Sequence, residues 1–73
     1  MIAYIKGNVE IINIDSIVVE AYGVGYEINF AKPEKLTLGQ AVQIYIYEHI
    51  REDEDTLYGF LNRPEKDLFT KLI

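Results

Sequence analysis

The chain has no cysteine, no tryptophan, one serine, one histidine and two prolines in 73 residues. Without cysteine it has neither disulfides nor a thiolate metal site, so a domain this small must be held by packing or by a partner. The absence also agrees with a reducing compartment, and a cytoplasmic protein is expected. The lone serine, Ser16, is far along the chain from the lone histidine, His49. No nucleophile with a base and an orienting group can be assembled from them, and an enzyme is not expected. His49, flanked by Glu48 and Arg51, reads as an edge or surface histidine. No stretch approaches the roughly 18 apolar residues of a membrane span. Lys6 interrupts the only apolar run near the start, so neither a signal peptide nor a membrane role is expected. Cations are few as well, seven against twelve acids for a net charge of −5, and none lies between residues 36 and 50. Composition alone therefore argues against nucleic-acid binding, because nothing in that stretch could track a phosphate backbone.

What is present reads as a folded β protein. Apolar residues make up 49%, too many for a disordered chain. Met1, Ala3, Ile5, Val9 and Ile11 alternate with Tyr4, Lys6, Asn8 and Glu10, which predicts one strand over residues 1 to 13, bulged or bent at Gly7. After a turn at Asp15-Ser16, a second strand runs from Ile17 to about Tyr22. Gly23 and Gly25 punctuate the chain, and Val24, Tyr26, Ile28 and Phe30 face inward on a third strand that forms a hairpin with the second. Pro33 suits the first turn of a short helix within residues 31 to 40, ended by Gly39. A fourth strand, Val42 to Ile50, places Val42, Ile44, Ile46 and Ile50 against Gln43, Tyr45, Tyr47 and His49, with Glu48 breaking the apolar face. A fifth runs from Thr56 to Leu61.

Asn62, with Glu65 three residues later, then caps a helix whose stripe is Leu68, Phe69, Leu72 and Ile73. The stripe is still running at Ile73, so an amino-terminal piece of a longer protein is expected. The fold class is mainly β, a Greek-key barrel of the OB type with five to six strands and a short carboxy-terminal α-helix; an SH3-like barrel is the nearest rival. The barrel is expected over 1–62 and the helix start over 63–73.

Between the last two strands lie four acids, Glu52-Asp53-Glu54-Asp55. A tight hairpin usually carries Gly there to reach positive φ, and this one has none. Charge alone makes the run a solvated turn that keeps a sheet edge soluble. It is not an EF-hand loop, which needs alternating acids over about twelve residues and a central Gly. Gly23-Val24-Gly25 lacks the third Gly and the following helix of a dinucleotide fingerprint, and a hairpin turn accounts for it. Tyr45, Tyr47 and Tyr58 could stack bases, but tyrosines on paired strands are commonly half-buried cross-strand contacts or a subunit interface.

Three stretches carry a resemblance: Gly23-Val24-Gly25-Tyr26-Glu27; Arg51-Glu52-Asp53 followed by Leu57-Tyr58-Gly59-Phe60; and Glu65 with Leu68-Phe69 and Leu72-Ile73. Together with Met1-Ile2 and Gly7 they resemble the amino-terminal domain of the RuvA family, the Holliday-junction-binding subunits of the bacterial branch-migration machine. The resemblance implies an OB-fold domain that precedes a helix-hairpin-helix domain and a small domain contacting the RuvB-like AAA+ motor, both absent from these residues. It further implies homotetramers on an open four-way junction in recombination, repair and the SOS response, with a RuvC-like resolvase as a further partner and no cofactor or metal. By the family's pattern the acidic pin at the junction centre falls on Glu52 and Asp53; beyond that pattern, Arg51, Glu54 and Asp55 are expected as its extension or support. Arg51 is placed to orient the acids by pairing with one of them.

Phosphate contacts belong in the family mainly to the helix-hairpin-helix domain, so this chain alone is expected to bind a junction poorly. Tyr4 and Tyr22 stand where relatives can carry Arg and Gly, and Glu54 and Asp55 lengthen the acid run. Two other readings remain. One is a small β-barrel used only for protein assembly, with no nucleic-acid role; the other is a single-strand-binding OB module, which needs a basic groove the sequence does not show.

Overall fold

The structure, a computed structural model, describes residues 1–72. Five strands, β1 (Tyr4–Ile12), β2 (Ser16–Ala21), β3 (Val24–Phe30), β4 (Ala41–Arg51) and β5 (Glu54–Phe60), precede one helix, α1 (Arg63–Leu72). The strands close into a barrel in the order β1-β2-β3-β5-β4, with β4 returning to β1. All pairings are antiparallel except β3 with β5, a parallel seam of two rungs, Asn29 with Tyr58 and Phe30 with Gly59. This is the OB arrangement.

Strand β1 serves both halves of the barrel. Its first part, Tyr4 to Asn8, pairs with β4, and from Asn8 onward it pairs with β2. At this handover the backbones come so close that a Cβ on Gly7 would collide with the carbonyl oxygen of Glu20. The expected bulge lies not at Gly7 but between Val9 and Ile11. A bulge adds one residue and reverses the alternation beyond it. Ile11 is consequently turned outward, and Ile12 packs against the core in its place.

The β2–β3 hairpin turns on Tyr22 and Gly23, both at positive φ (52° and 83°). That makes a two-residue type I′ turn, whose twist matches the strands it joins. The short helix expected within residues 31 to 40 is a single 3₁₀ turn at Pro33–Lys35, beginning on Pro33. Leu36 follows it into the core.

Val9, Ile17, Val19, Ile28, Ile44 and Ile46 are the fully buried side chains, all β-branched and suited to a pleated surface packed on one side. Ile5, Phe30, Leu36 and Leu57 complete the centre. On the outside, the Glu65 N–H donates to Asn62 Oδ1 (3.0 Å) and Asn62 Nδ2 donates to Glu65 Oε1 (3.2 Å), the expected cap of α1. Only part of the expected helical stripe is packed. Phe69 lies on the barrel wall while Leu68 and Leu72 are exposed, because α1 meets the barrel mainly along β4 and β5. Ile73 lies outside the described residues.

Candidate functional site

The acid run does not form one loop. The β4–β5 ladder continues past the apolar segment through His49–Thr56, Ile50–Asp55 and Arg51–Glu54, so β5 begins at Glu54 rather than at Thr56. Only Glu52 and Asp53 remain as the turn. Neither adopts positive φ, since among the described residues Tyr22 is the one non-glycine that does. The tip therefore lacks the primed geometry that glycine provides, and its two positions are free to carry carboxylates.

Alternation separates the remaining residues. Arg51 and Glu54 share the outer face of the hairpin with His49 and Thr56; Asp55 lies on the inner face with Glu48 and Ile50. All residues from Ile50 to Asp55 are exposed, including Ile50, which the period-two pattern had assigned to the core. The reason is positional. β4 pairs with β1 only as far as Tyr45, and β5 meets β3 only from Tyr58, so residues 48–57 pair with each other alone and leave the barrel as a two-stranded ribbon.

Arg51 does not reach the tip acids. Its Nε donates to His49 Nε2 (2.9 Å), which makes that ring nitrogen an acceptor. Glu54 instead accepts from the Thr56 hydroxyl (3.2 Å). Glu52 and Asp53 stand at the end of the ribbon with both carboxylates open to solvent.

Glu48, which in the sequence only interrupts an apolar face, has a structural role there. It occupies an inward-facing position, opposite Leu57, and its Oε1 accepts the backbone N–H of Ile2 (2.8 Å). That bond holds its carboxyl below the usual glutamate range, helped by a hydrogen bond with Asp55. The same contact with Glu48 pushes the Asp55 carboxyl up. The available signal was a carboxylate at an inward position of an alternating strand, since such a group requires a donor.

The tyrosine face is covered. Phe69 of α1 packs against Tyr47, Tyr58 and Phe60 with ring centroids 5.5, 5.3 and 5.1 Å apart. This supports the cross-strand reading of Tyr47 and Tyr58 and leaves no open platform there for bases. Tyr45 makes an edge contact with Tyr4 at 6.5 Å. Among the described residues no group of three or more His, Asp or Glu is arranged to hold a metal ion, and no helix is long and apolar enough to cross a membrane.

An OB barrel whose β4–β5 hairpin carries an exposed acidic tip defines the class of domain. The family described as the RuvA N terminal domain matches residues 1–59. Over 75 aligned positions covering the whole chain, it is 48% identical to the Holliday junction branch migration complex subunit RuvA of Oceanobacillus iheyensis. It is 49% identical to the protein of the same name from Streptococcus pyogenes serotype M18. The chain belongs to the RuvA family and corresponds to its amino-terminal domain. It spans 37% and 38% of the length of these two relatives.

Proposed function

We propose that the chain is the amino-terminal domain of a non-catalytic, Holliday-junction-binding subunit of a branch migration complex acting in recombination and repair, in which Glu52 and Asp53 form an acidic pin at the junction centre. The observation that carries this reading is the geometry of the β4–β5 ribbon. It leaves the barrel without a further partner strand on either edge and ends in two solvent-exposed carboxylates. The family membership supports the main reading over a protein-assembly barrel.

The physics of the pin is repulsion. Carboxylates and phosphates of like charge interact over about 10 Å at 0.1 M salt, so two acids per subunit near a crossover oppose the close approach of strands. An open junction holds its phosphates away from the centre and tolerates the pin; continuous duplex at the same place does not. Specificity then arises by penalising the wrong DNA form. Attraction must come from elsewhere, given the net charge of −5. In this reading residues 1–62 are the barrel, and the helix from 63 leads into helix-hairpin-helix and RuvB-binding domains, with assembly as a homotetramer in the cytoplasm and a RuvC-like resolvase as a later partner.

The test is a gel shift of the full-length gene product and its Glu52→Gln/Asp53→Asn variant on a synthetic four-way junction and on duplex of equal length. The variant is expected to bind duplex more tightly and to lose junction preference. An unchanged preference would overturn the pin.

A further inference from the structure

A two-stranded ribbon on its own is only marginally stable in water, so something must hold this one in a fixed direction. The barrel ladders do not. On its edge away from β5, β4 has no partner strand beyond the Tyr4–Tyr45 rung except for one bond from the Ile46 N–H to the Ala3 carbonyl (2.9 Å), and the β3–β5 seam begins only at Tyr58. One rung further toward the tip, side chains take over from backbone. On the β4 edge, Glu48 Oε1 accepts the Ile2 N–H at 2.8 Å; on the β5 edge, Asn29 Nδ2 donates to the Leu57 carbonyl at 3.3 Å. Glu48 and Leu57 lie opposite each other in the ladder. Both contacts therefore grip the ribbon at the same rung from opposite sides, each by a side chain standing in for a missing strand.

We propose that Glu48 and Asn29 are positioning residues that clasp the acidic hairpin at the Glu48–Leu57 rung and set where Glu52 and Asp53 point. The inference rests on the pin reading for its functional consequence, but the clasp itself is a property of the chain. A tip four residues beyond its last anchor is displaced in proportion to any rotation at that anchor. Functional groups need holding to within roughly 0.5 Å and 10–20° to act selectively. Asn29 is exposed and contributes nothing to the core, so truncating it tests the clasp without a packing loss.

The experiment compares wild-type full-length protein with Asn29→Ala, Glu48→Ala, the double variant and Glu48→Gln, which keeps the acceptor oxygen for Ile2. Amide hydrogen exchange of residues 49–56 is measured together with junction-over-duplex preference, with Glu52→Gln/Asp53→Asn as reference. The double alanine variant is expected to exchange roughly tenfold faster in the ribbon while the barrel amides stay protected. Its junction preference is expected to fall toward that of the reference variant, and Glu48→Gln is expected to retain wild-type behaviour in both measurements. Unchanged ribbon exchange in the double variant would overturn the clasp. So would Glu48→Gln behaving like Glu48→Ala. Faster ribbon exchange beside a reference variant with normal junction preference would support the clasp and sink the pin, so the two failures are separable. Should Glu48→Ala unfold, Asn29→Ala alone decides the matter by its ribbon exchange.

Discussion

Glu48 and Asp55 lie diagonally across the β4–β5 ladder, Glu48 opposite Leu57 and Asp55 opposite Ile50, with both carboxyl groups on the inner side of the ribbon, where each shifts the other's titration. The two respond to pH in opposite directions. Glu48, stabilised as the anion by the Ile2 N–H, contributes stability above its unfolded pKa and loses it as pH falls through its lower folded value. Asp55, whose protonated form is favoured by Glu48, contributes stability in acid and loses it as pH rises through its raised folded value.

Replacing Asp55 by Asn keeps a donor toward Glu48 and removes the charge that appears on ionisation. The thermal midpoint of Asp55→Asn is expected to match wild type in acid and to exceed it increasingly as pH rises through the carboxylate range. In Glu48→Gln, the Asp55 carboxyl is expected to titrate closer to its ordinary 3.8. Carbon-detected NMR titration and melting curves at several pH values check both. A constant difference between Asp55→Asn and wild type across that range would contradict the coupling.

Gly59 lies in the barrel wall where a Cβ would stand 2.5 Å from Ile28 Cγ2 and 2.7 Å from Ile44 Cγ2. Both neighbours are fully buried and cannot swing away. Gly59→Ala is expected to destabilise the chain by about 1–3 kcal/mol through overpacking. Urea denaturation measures it, and a neutral result would mean the two isoleucines relax freely.

Tyr22 adopts φ 52° at the β2–β3 turn and is fully exposed. A left-handed conformation costs a non-glycine residue roughly 1–2 kcal/mol, and no burial offsets it here. Allowing for the greater unfolded freedom of glycine, Tyr22→Gly is expected to stabilise the chain by about 0.5–1 kcal/mol. Equal or lower stability in the glycine variant would indicate that the tyrosine ring makes a contact that offsets its backbone cost.

Alternation of apolar residues along the chain was sufficient to place all five strands, and Asn62 with Glu65 to place the helix cap, because these signals are local. What it missed is non-local. The outward turn of Ile11 follows from the bulge between Val9 and Ile11, whose position no property of residues 1–13 fixes. Ile50 looked like a core residue because its spacing from Ile46 is right, yet the barrel ends three rungs earlier, at Tyr47–Tyr58. The same register decides which two of the four acids form the tip; composition showed only that four were there. Glu48 finds its donor 46 residues away in sequence. The choice between OB and SH3-like barrels turned on the parallel pairing of Asn29 and Phe30 with β5, a contact with no sequence mark of its own.

That seam has a mechanical consequence. A pull or push on the acidic tip enters the barrel along β4 and β5. On one side it meets five rungs shared with β1, from Tyr4–Tyr45 to Asn8–Ala41, and on the other only the two rungs of the parallel seam. Load therefore runs into β1, and from there through the crowded crossing of Gly7 over Glu20 into β2. The β3–β5 seam is the line along which the cylinder would unzip first, leaving the β2–β3 hairpin and the ribbon each intact on either side of the split.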